Sequence, residues 1–213
     1  MMRKILTFVL PIGLAACAAG PQVTPVEASV ASAAKADRPD VKVGDRWNTT
    51  CKSGVQTFNF VTVVTSVDQT GVKGTQNGKP LTLSPDLNNI ESPQRKASNE
   101  RGLSFPLQVG KQWEAANEWV SHIDNEASGT EKLTVTVVGY ERVRVRAGEF
   151  DAFKLKWKSN WWDKTNNNPG TTESTYWYAP AARTVVWLDE LVSWPGGGKP
   201  ELTCELVEFQ LQP

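Results

Sequence analysis

The sequence predicts an all-β fold, a curved antiparallel sheet or partly open barrel of about nine or ten strands. Runs rich in β-branched and aromatic residues recur along the chain, and these residue types favour strands. No segment carries the long 3.6-residue apolar period of an amphipathic helix. Residues 41–213 are numerous enough for one domain with a sizeable core, so we expect a single β domain over that range.

The predicted strands follow one another with turn signals between them. The first, 58–67, is followed by 72–83, which contains Asn77-Gly78, the dipeptide best suited to a type I′ hairpin turn. In the last predicted strand the apolar positions change phase after Leu206, which predicts a β-bulge near residues 206–207. The strands between these are expected at 112–121, 132–138, 142–146, 153–158, 172–178 and 184–188, and the last at 201–211.

Two stretches between the strands stand out. Residues 84–102 show no strand pattern, and a loop of that length is typical of a mobile or functional segment. Residues 41–47 resemble residues 107–113, because both place a glycine turn three residues before a tryptophan at a strand start. The similarity favours one turn chemistry used twice, and a duplicated β unit is the alternative.

The N-terminus has the pattern of a secretory signal. Arg3 and Lys4 precede an apolar run at 5–16, which is shorter than the ~20 residues that a membrane-spanning helix needs. The sequence Leu-Ala-Ala-Cys at 14–17 resembles the lipobox of bacterial lipoproteins. The resemblance implies that residues 1–16 are a signal peptide and that Cys17 becomes the acylated first residue, carrying palmitate-type chains. An ordinary signal peptide with a chance cysteine is the alternative.

The lipoprotein resemblance also implies a location. Several acyl chains hold a protein stably on a membrane. Ala18 stands where an aspartate would retain an enteric-type lipoprotein at the inner membrane, so the outer membrane, on its periplasmic face, is expected. Residues 17–40, rich in Ala, Ser, Pro and Val, are predicted to form a flexible tether with a coil dimension of roughly 25–30 Å. A short helix within 26–36 is the alternative.

Two further cysteines remain once Cys17 is assigned to lipid. Disulfides persist in an oxidising periplasm, so Cys51 and Cys204 are predicted to form one bridge. Such a bridge would join the first strand of the domain to the last. The alternative is two free buried thiols.

Three segments carry a second resemblance. Residues 105–113, 145–153 and 175–180 are similar to parts of bacterial envelope domains that occur in secreted proteins and lipoproteins. Those domains are curved and antiparallel, similar in kind to the half-barrels of periplasmic lipoprotein carriers. Because the match consists of turns and strands, it implies a fold and not an activity.

Charge and motifs argue against several classes of function. Removing residues 1–16 takes away Arg3 and Lys4 and no acid, which leaves 21 basic against 23 acidic residues, a net charge of −2. Such a chain has no overall electrostatic attraction to nucleic acid. The single histidine, His122, offers little for a metal site, and no nucleophile elbow or phosphate loop occurs, so we expect no metal and no cofactor.

An enzyme is not expected. Paired carboxylates at Asp189/Glu190 and Asp124/Glu126 are the only material for a hydrolase, and neighbours on a strand point to opposite faces. A hydrolase therefore stays a less favoured alternative.

Eight of the nine tryptophans divide into two groups. Five lie in strand patterns, where a packed core is expected. Trp161, Trp162 and Trp194 instead flank polar or glycine-rich loops, where indoles stack on ligands or contact a surface, and these three are candidate contact residues.

A cluster of basic residues is the other candidate surface. If their two strands pair, six cations share one sheet face and need anions opposite them. Those anions are either acids on neighbouring strands, such as Glu131, Glu141 and Glu173, or a partner such as lipid A phosphate or an acidic glycan. The six residues are Arg142, Arg144, Arg146, Lys154, Lys156 and Lys158.

The sequence therefore favours a lipid-anchored, non-enzymatic binding or envelope-assembly module whose concave face takes an apolar chain or lipid. The alternatives are glycan contact through the loop tryptophans and docking on an envelope protein. An apolar cavity of several hundred Å³ would favour the first, exposed indoles the second, and a filled core the third.

Overall fold

The computed structural model describes residues 20–197 and 200–213. The predicted signal peptide and Cys17 lie outside these residues. The described chain holds one α-helix, α1 (Ala28–Ala33), and one 3-10 turn (Pro180–Ala182). Its fifteen strands are β1 (Gln22–Pro25), β2 (Lys35–Ala36), β3 (Arg46–Ser53), β4 (Gln56–Asp68), β5 (Gly71–Gln76), β6 (Lys79–Leu83), β7 (Asn89–Glu91), β8 (Arg95–Ala97), β9 (Leu107–Gln108), β10 (Gln112–Ser121), β11 (Ser128–Val145), β12 (Gly148–Asp163), β13 (Asn168–Ala179), β14 (Thr184–Ser193) and β15 (Glu201–Gln210).

The all-β prediction is confirmed, with more strands than the nine or ten expected. Twelve strands of the described chain form one antiparallel sheet in the order β11-β10-β8-β7-β6-β5-β4-β3-β15-β14-β13-β12. Because β12 also pairs with β11, the sheet closes into a barrel. β1 pairs with the part of β11 that lies beyond β10, and β2 pairs with β9 in a separate two-stranded sheet.

Local irregularities bend the long strands. The register shifts between Val137 and Gly139, between Trp177 and Tyr178, and between Leu206 and Glu208. Bulges of this kind increase the twist and curvature that closure requires. The last of them confirms the predicted bulge. Asn77 and Gly78 both have positive φ and connect β5 to β6, which confirms the predicted type I′ hairpin.

The two ends of the barrel differ. The mouth is the end formed by the β10–β11, β12–β13 and β14–β15 connections, at 122–127, 164–167 and 194–200. The base is the opposite end, where β3 and β14 begin and β15 finishes. Apolar clusters fill the base and the middle of the barrel, with Trp47, Val143 and Leu206 in one cluster and Leu107, Val135 and Tyr178 in the other.

A fully buried carboxylate organises the base. Asp45 has 0% of its surface exposed and accepts hydrogen bonds from Arg183 Nη1 at 2.9 Å, from the Gln212 amide at 2.7 Å and from the Lys42 amide at 3.0 Å. It follows Gly44, whose positive φ forms the turn before β3.

Gly110 repeats the turn of Gly44 before β10. The amide of Gly44 donates to the Val64 carbonyl at 2.9 Å, and the amide of Gly110 donates to the Val137 carbonyl at 2.8 Å. Both glycines have positive φ. The same turn is thus used twice, each time with its glycine amide bonded to the second strand that follows it in the chain.

The predicted disulfide is confirmed. Cys51 on β3 lies directly opposite Cys204 on β15, and their Cα atoms are 4.0 Å apart. The bridge closes a loop with a sequence separation of 153. On the chain-entropy account a loop of that length stabilises the fold by ~5 kcal/mol.

Part of the predicted tether lies on the barrel. Gln22 to Pro25 pair with β11, and Ala36 in β2 is only 5% exposed. Backbone pairing explains this, because β11 offers unpaired amides and carbonyls to a segment whose side chains bury little. Within residues 20–197 and 200–213, α1 and the 3-10 turn are both too short to cross a membrane.

The stretch 84–102, predicted as a loop without strands, contributes two. β7 and β8 are short strands of the barrel wall between β6 and β10. Residues 98–106, here called the inner segment, then lead from β8 towards β9, with Leu103 and Ser104 buried.

Candidate binding cavity

A cavity of about 1010 Å³ lies at the mouth of the barrel. Its wall is formed by β8, β10, β11, β12, β13 and β14, and Ile123, Asp124, Asn166 and Trp194 stand where it meets solvent. A volume of this size is at the upper end of small-molecule sites. The mouth of the barrel is therefore hollow.

Aromatic side chains form much of the cavity wall. They come from β10, β12, β13 and the β14–β15 connection, and are Trp119, Trp157, Trp161, Tyr176 and Trp194.

Two of these indoles lie flat on glycine backbone. A Cβ built on Gly170 would stand 2.0 Å from the ring of Trp161, and one on Gly197 would stand 1.9 Å from that of Trp194. Trp161 Nε1 also donates to Thr172 Oγ1 at 3.2 Å. Only glycine at positions 170 and 197 therefore leaves room for the two rings.

The inner segment forms the floor of the cavity. Asn88 holds Leu103 from both sides, with its Nδ2 donating to the Leu103 carbonyl at 2.9 Å and its Oδ1 accepting from the Leu103 amide at 2.7 Å. Gly102 lies against the ring of Trp157, and its carbonyl accepts a hydrogen bond from the Tyr176 hydroxyl. A side chain at 102 would collide with that ring.

A cluster of charged residues lies in the same cavity. Arg95 Nη2 is 2.9 Å from Glu131 Oε2, and Arg95 Nη1 is 3.9 Å from Glu100 Oε2. The guanidinium also lies over the Trp119 ring, 5.9 Å from its centroid. Glu131 is only 5% exposed and receives a second, longer contact from Asn117 Nδ2 at 3.5 Å.

The third carboxylate of the cluster is Glu190 on β14. Its Oε2 accepts a hydrogen bond from Ser174 Oγ at 3.0 Å. Burial raises the pKa of both Glu100 and Glu190 above the ordinary value, and the Glu131 carboxylate adds to the rise. Arg95 opposes the rise in both cases. One cation thus faces three carboxylates.

Two donors of the cavity wall are unsatisfied. Trp157 Nε1 and Arg95 Nε are buried and have no hydrogen-bond partner within the described part of the chain. A buried polar atom without a partner costs free energy, commonly ~1–3 kcal/mol. The fold therefore carries this cost at two side chains of the cavity wall.

A second, smaller cavity of about 440 Å³ continues towards the base. Arg95, Glu100 and the inner-segment residue Leu103 line both spaces. The charge cluster therefore lies where the two spaces meet, and its Glu131 stands directly opposite Trp161 in the β11–β12 pairing.

The structure separates the three candidate tryptophans. Trp161 and Trp194 line the cavity, while Trp162 points to the other face of β12 and is 40% exposed. This follows from the alternation of side chains along a strand.

The six candidate basic residues lie along the β11–β12 hairpin, and carboxylates accompany most of them. Arg142 and Arg144 face Asp151 and Glu149 across the hairpin, at 2.9 and 2.8 Å. The register places the lysines further along β12, beyond these pairs. The remaining pairs are Arg146–Glu205 at 2.7 Å, Lys154–Glu141 at 3.2 Å and Lys158–Glu173 at 3.5 Å. A contact role for these six residues stays a prediction.

The carboxylates and the histidine considered for catalysis or metal binding do not all face the cavity. Glu190 points into the cavity, while its neighbour Asp189 accepts from Thr203 Oγ1 at 3.1 Å on the other face of β14. His122 Nε2 lies 2.6 Å from Glu91 and its Nδ1 lies 3.3 Å from Glu126, which raises the pKa of the imidazole. Across residues 20–197 and 200–213, no three His, Cys, Asp or Glu side chains converge on a point that a metal ion could occupy.

Sequence reasoning missed most of the cavity. Glu131 stands in phase with Leu133 and Val135 on β11, and an acid on an apolar strand face is a signal that could have been read. Arg95 and Glu100 lie in a stretch with no period, so no pattern pointed to them.

The fold is shared with bacterial proteins of known structure. A candidate lipoprotein from Parabacteroides distasonis superposes with a TM-score of 0.53 at 10% identity, over 82% of this chain and 99% of that one. A candidate exported protein with a YmcC-like fold from Bacteroides fragilis gives a TM-score of 0.51 at 14% identity, over 82% and 99%. The hypothetical lipoprotein YmcC from Escherichia coli gives 0.45 at 13%, over 78% and 85%. No family model and no curated protein sequence matches this chain.

Proposed function

We propose that this chain is a lipoprotein of the bacterial cell envelope that binds an amphiphilic molecule in its barrel cavity without converting it. The cavity of about 1010 Å³, lined by indoles and open at the mouth, is the observation that carries the proposal. Indoles offer broad apolar walls for an alkyl chain, and the charged residues beside them offer a place for a polar group.

The sequence supports the anchored location. The lipobox resemblance at 14–17 makes Cys17 the acylated residue, with the outer membrane, facing the periplasm, as the site of anchoring. The fold neighbours, described as a candidate lipoprotein and a candidate exported protein, are consistent with an envelope location. Replacing Cys17 with serine is expected to abolish the incorporation of labelled palmitate into the protein. Unchanged incorporation in the variant would contradict acylation at Cys17.

The binding proposal is tested by native mass spectrometry. The chain from residue 18 onward, which contains every described element, is exported to a bacterial periplasm and purified without detergent. We expect a stoichiometric adduct that heating removes and that extraction identifies as an amphiphile. A bare protein mass would count against the proposal.

Two adjacent residues on β14 supply a matched pair of variants. Val192 lines the cavity, whereas Leu191 does not. Val192→Trp fills part of the space and is expected to remove the adduct, while Leu191→Trp keeps it. Equal retention by both variants would show that the adduct is bound elsewhere.

Glycan binding is the second candidate function. It is favoured by one observation, that Trp161 and Trp194 lie flat on Gly170 and Gly197 beside carboxylates that sugar hydroxyls can donate to. An oligosaccharide in place of an amphiphile in the extracted adduct would support this candidate over the first.

A further inference from the structure

We infer that the polar group of the ligand carries a positive charge, an ammonium in chemical class, and that it binds between Glu100, Glu190 and the cavity indoles. This inference rests on the proposed function, since it concerns the charged residues of the same cavity.

The charge count is the first argument. Arg95 is committed to Glu131 at 2.9 Å and stands 3.9 Å from Glu100. Glu190 receives one hydroxyl hydrogen bond, from Ser174. Three carboxylates therefore share one guanidinium within the barrel, where the effective dielectric is below that of bulk water and like charges repel more strongly than in solution. A cation in the cavity would relieve that repulsion.

The aromatic wall is the second argument. Indole faces attract cations within ≈ 6 Å of the ring centroid, and Trp is the strongest of the aromatic residues in this respect. Arg95 already uses Trp119 in this way, at 5.9 Å. Trp157 and Trp161 line the same cavity and remain available. Carboxylates combined with indole faces are the combination that recognises alkylammonium groups.

The geometry of the acids is the third argument. The carboxylates of the described chain do not converge as metal ligands do. A spread arrangement suits an organic cation, whose charge is distributed over a larger group.

The test compares alkyl probes that share one chain and differ in their polar group. Dodecyltrimethylammonium, dodecyl maltoside and dodecyl sulfate are titrated below their micelle concentrations into the chain from residue 18 onward. Calorimetry reports the binding, and far-ultraviolet circular dichroism checks that the fold persists. We expect the ammonium probe to bind at least tenfold more tightly than the maltoside, and the sulfate to bind most weakly.

The variants assign the preference to the named carboxylates. Glu100→Gln and Glu190→Gln together are expected to reduce the preference for the ammonium probe to less than threefold while leaving the maltoside affinity within a factor of three. Asp189→Asn is the matched control, because Asp189 points to the opposite face of β14 and bonds Thr203. It should leave the preference unchanged.

The outcomes separate the two proposals. If no probe binds, the proposed amphiphile-binding function fails. If all probes bind equally, or if the maltoside binds best, the function stands and the positive charge is overturned. The comparison of probes on the unaltered protein decides this even where the double variant does not fold.

Discussion

The base and the mouth of the barrel each bury charged side chains, and they differ in how completely the protein pairs them. At the base, Asp45 takes donors from Arg183, Gln212 and Lys42, so one carboxylate meets one guanidinium and two amides. At the mouth, Arg95 faces three carboxylates, and two donors have no partner among the described residues. A buried cluster whose charges are paired stabilises the fold. A cluster with excess negative charge beside a cavity can instead pair with a cation on a ligand.

The largest expected effect is at the base. Asp45→Asn removes the carboxylate that compensates Arg183 and weakens the bond to the Gln212 amide. Breaking a buried ion pair from one side typically costs ~3–5 kcal/mol. Urea unfolding at pH 7 should show a loss of that order. A loss below ~1 kcal/mol would mean that the base cluster is not the structural element described here.

At the mouth, replacing a carboxylate with a neutral amide is not expected to lower the unfolding free energy, in contrast to the base. Glu190→Gln removes a buried charge that Arg95 compensates only in part, while the amide still accepts from Ser174. We expect the unfolding free energy at pH 7 to be unchanged or higher by about 1 kcal/mol. A loss of unfolding free energy as large as that of the base variant would show that the two clusters stabilise the fold in the same way.

The pH dependence sharpens this prediction. The pKa of Glu190 is raised in the fold by burial, with Arg95 opposing and Glu131 adding to the rise. Its contribution to stability is therefore fully present below the unfolded value, ~4.3, and is lost as pH rises through the folded value. The difference in stability between Glu190→Gln and the unaltered protein should grow from pH 4 to pH 7. A constant difference would contradict the raised pKa.

An effect smaller than that of the base variant is expected where a glycine packs against an indole at the mouth. Gly170→Ala places a methyl group on the Trp161 ring, and overpacking of this kind costs ~1–3 kcal/mol and displaces the side chain. Ligand binding should weaken with the displaced indole, as measured by the same titrations. Gly139→Ala is the matched control on β11, since its nearest neighbour would be 4.0 Å away. Equal effects of the two alanines would show that Trp161 does not need its glycine.

The smallest effect concerns His122 at the rim. Hydrogen bonds to Glu91 and then to Glu126 raise the pKa of its imidazole. The stabilisation is present below the unfolded value, ~6.5, and is lost as pH rises through the folded value. His122→Gln should therefore lower the thermal midpoint at pH 5.5 and leave it unchanged at pH 9. A uniform drop at both pH values would contradict the titration.

Much of the wall of the barrel could be predicted from local pattern. Alternation marked most of the long strands, Asn77-Gly78 marked a turn, and the phase change at Leu206 marked a bulge, because each signal depends on neighbouring residues only. The short strands β7 and β8 carry no such signal, since three residues hold no period. They form because strands on both sides supply hydrogen bonds.

The cavity could be predicted less well, for a physical reason. Trp161 and Trp194 were found because they flank loops, and both line the cavity. Arg95 and Glu100 meet Glu131 and Glu190 only after closure of the barrel brings β8 and the inner segment near β11 and β14. Contacts that form only when the barrel closes join residues far apart in the chain, so no local spacing pattern predicts them.

The pairing of β1 with β11 places the start of the described chain at the base of the barrel. Gln22 lies opposite Arg144, close to the tip of the β11–β12 hairpin at the base. The chain between residues 17 and 22 spans at most ~18 Å. If Cys17 carries the lipid and the cavity binds an amphiphile, as proposed, the base lies near the bilayer and the entrance stands at the far end of the eighteen-residue strand β11. On that proposal the ligand enters from the aqueous side of the envelope and not from the leaflet that holds the anchor.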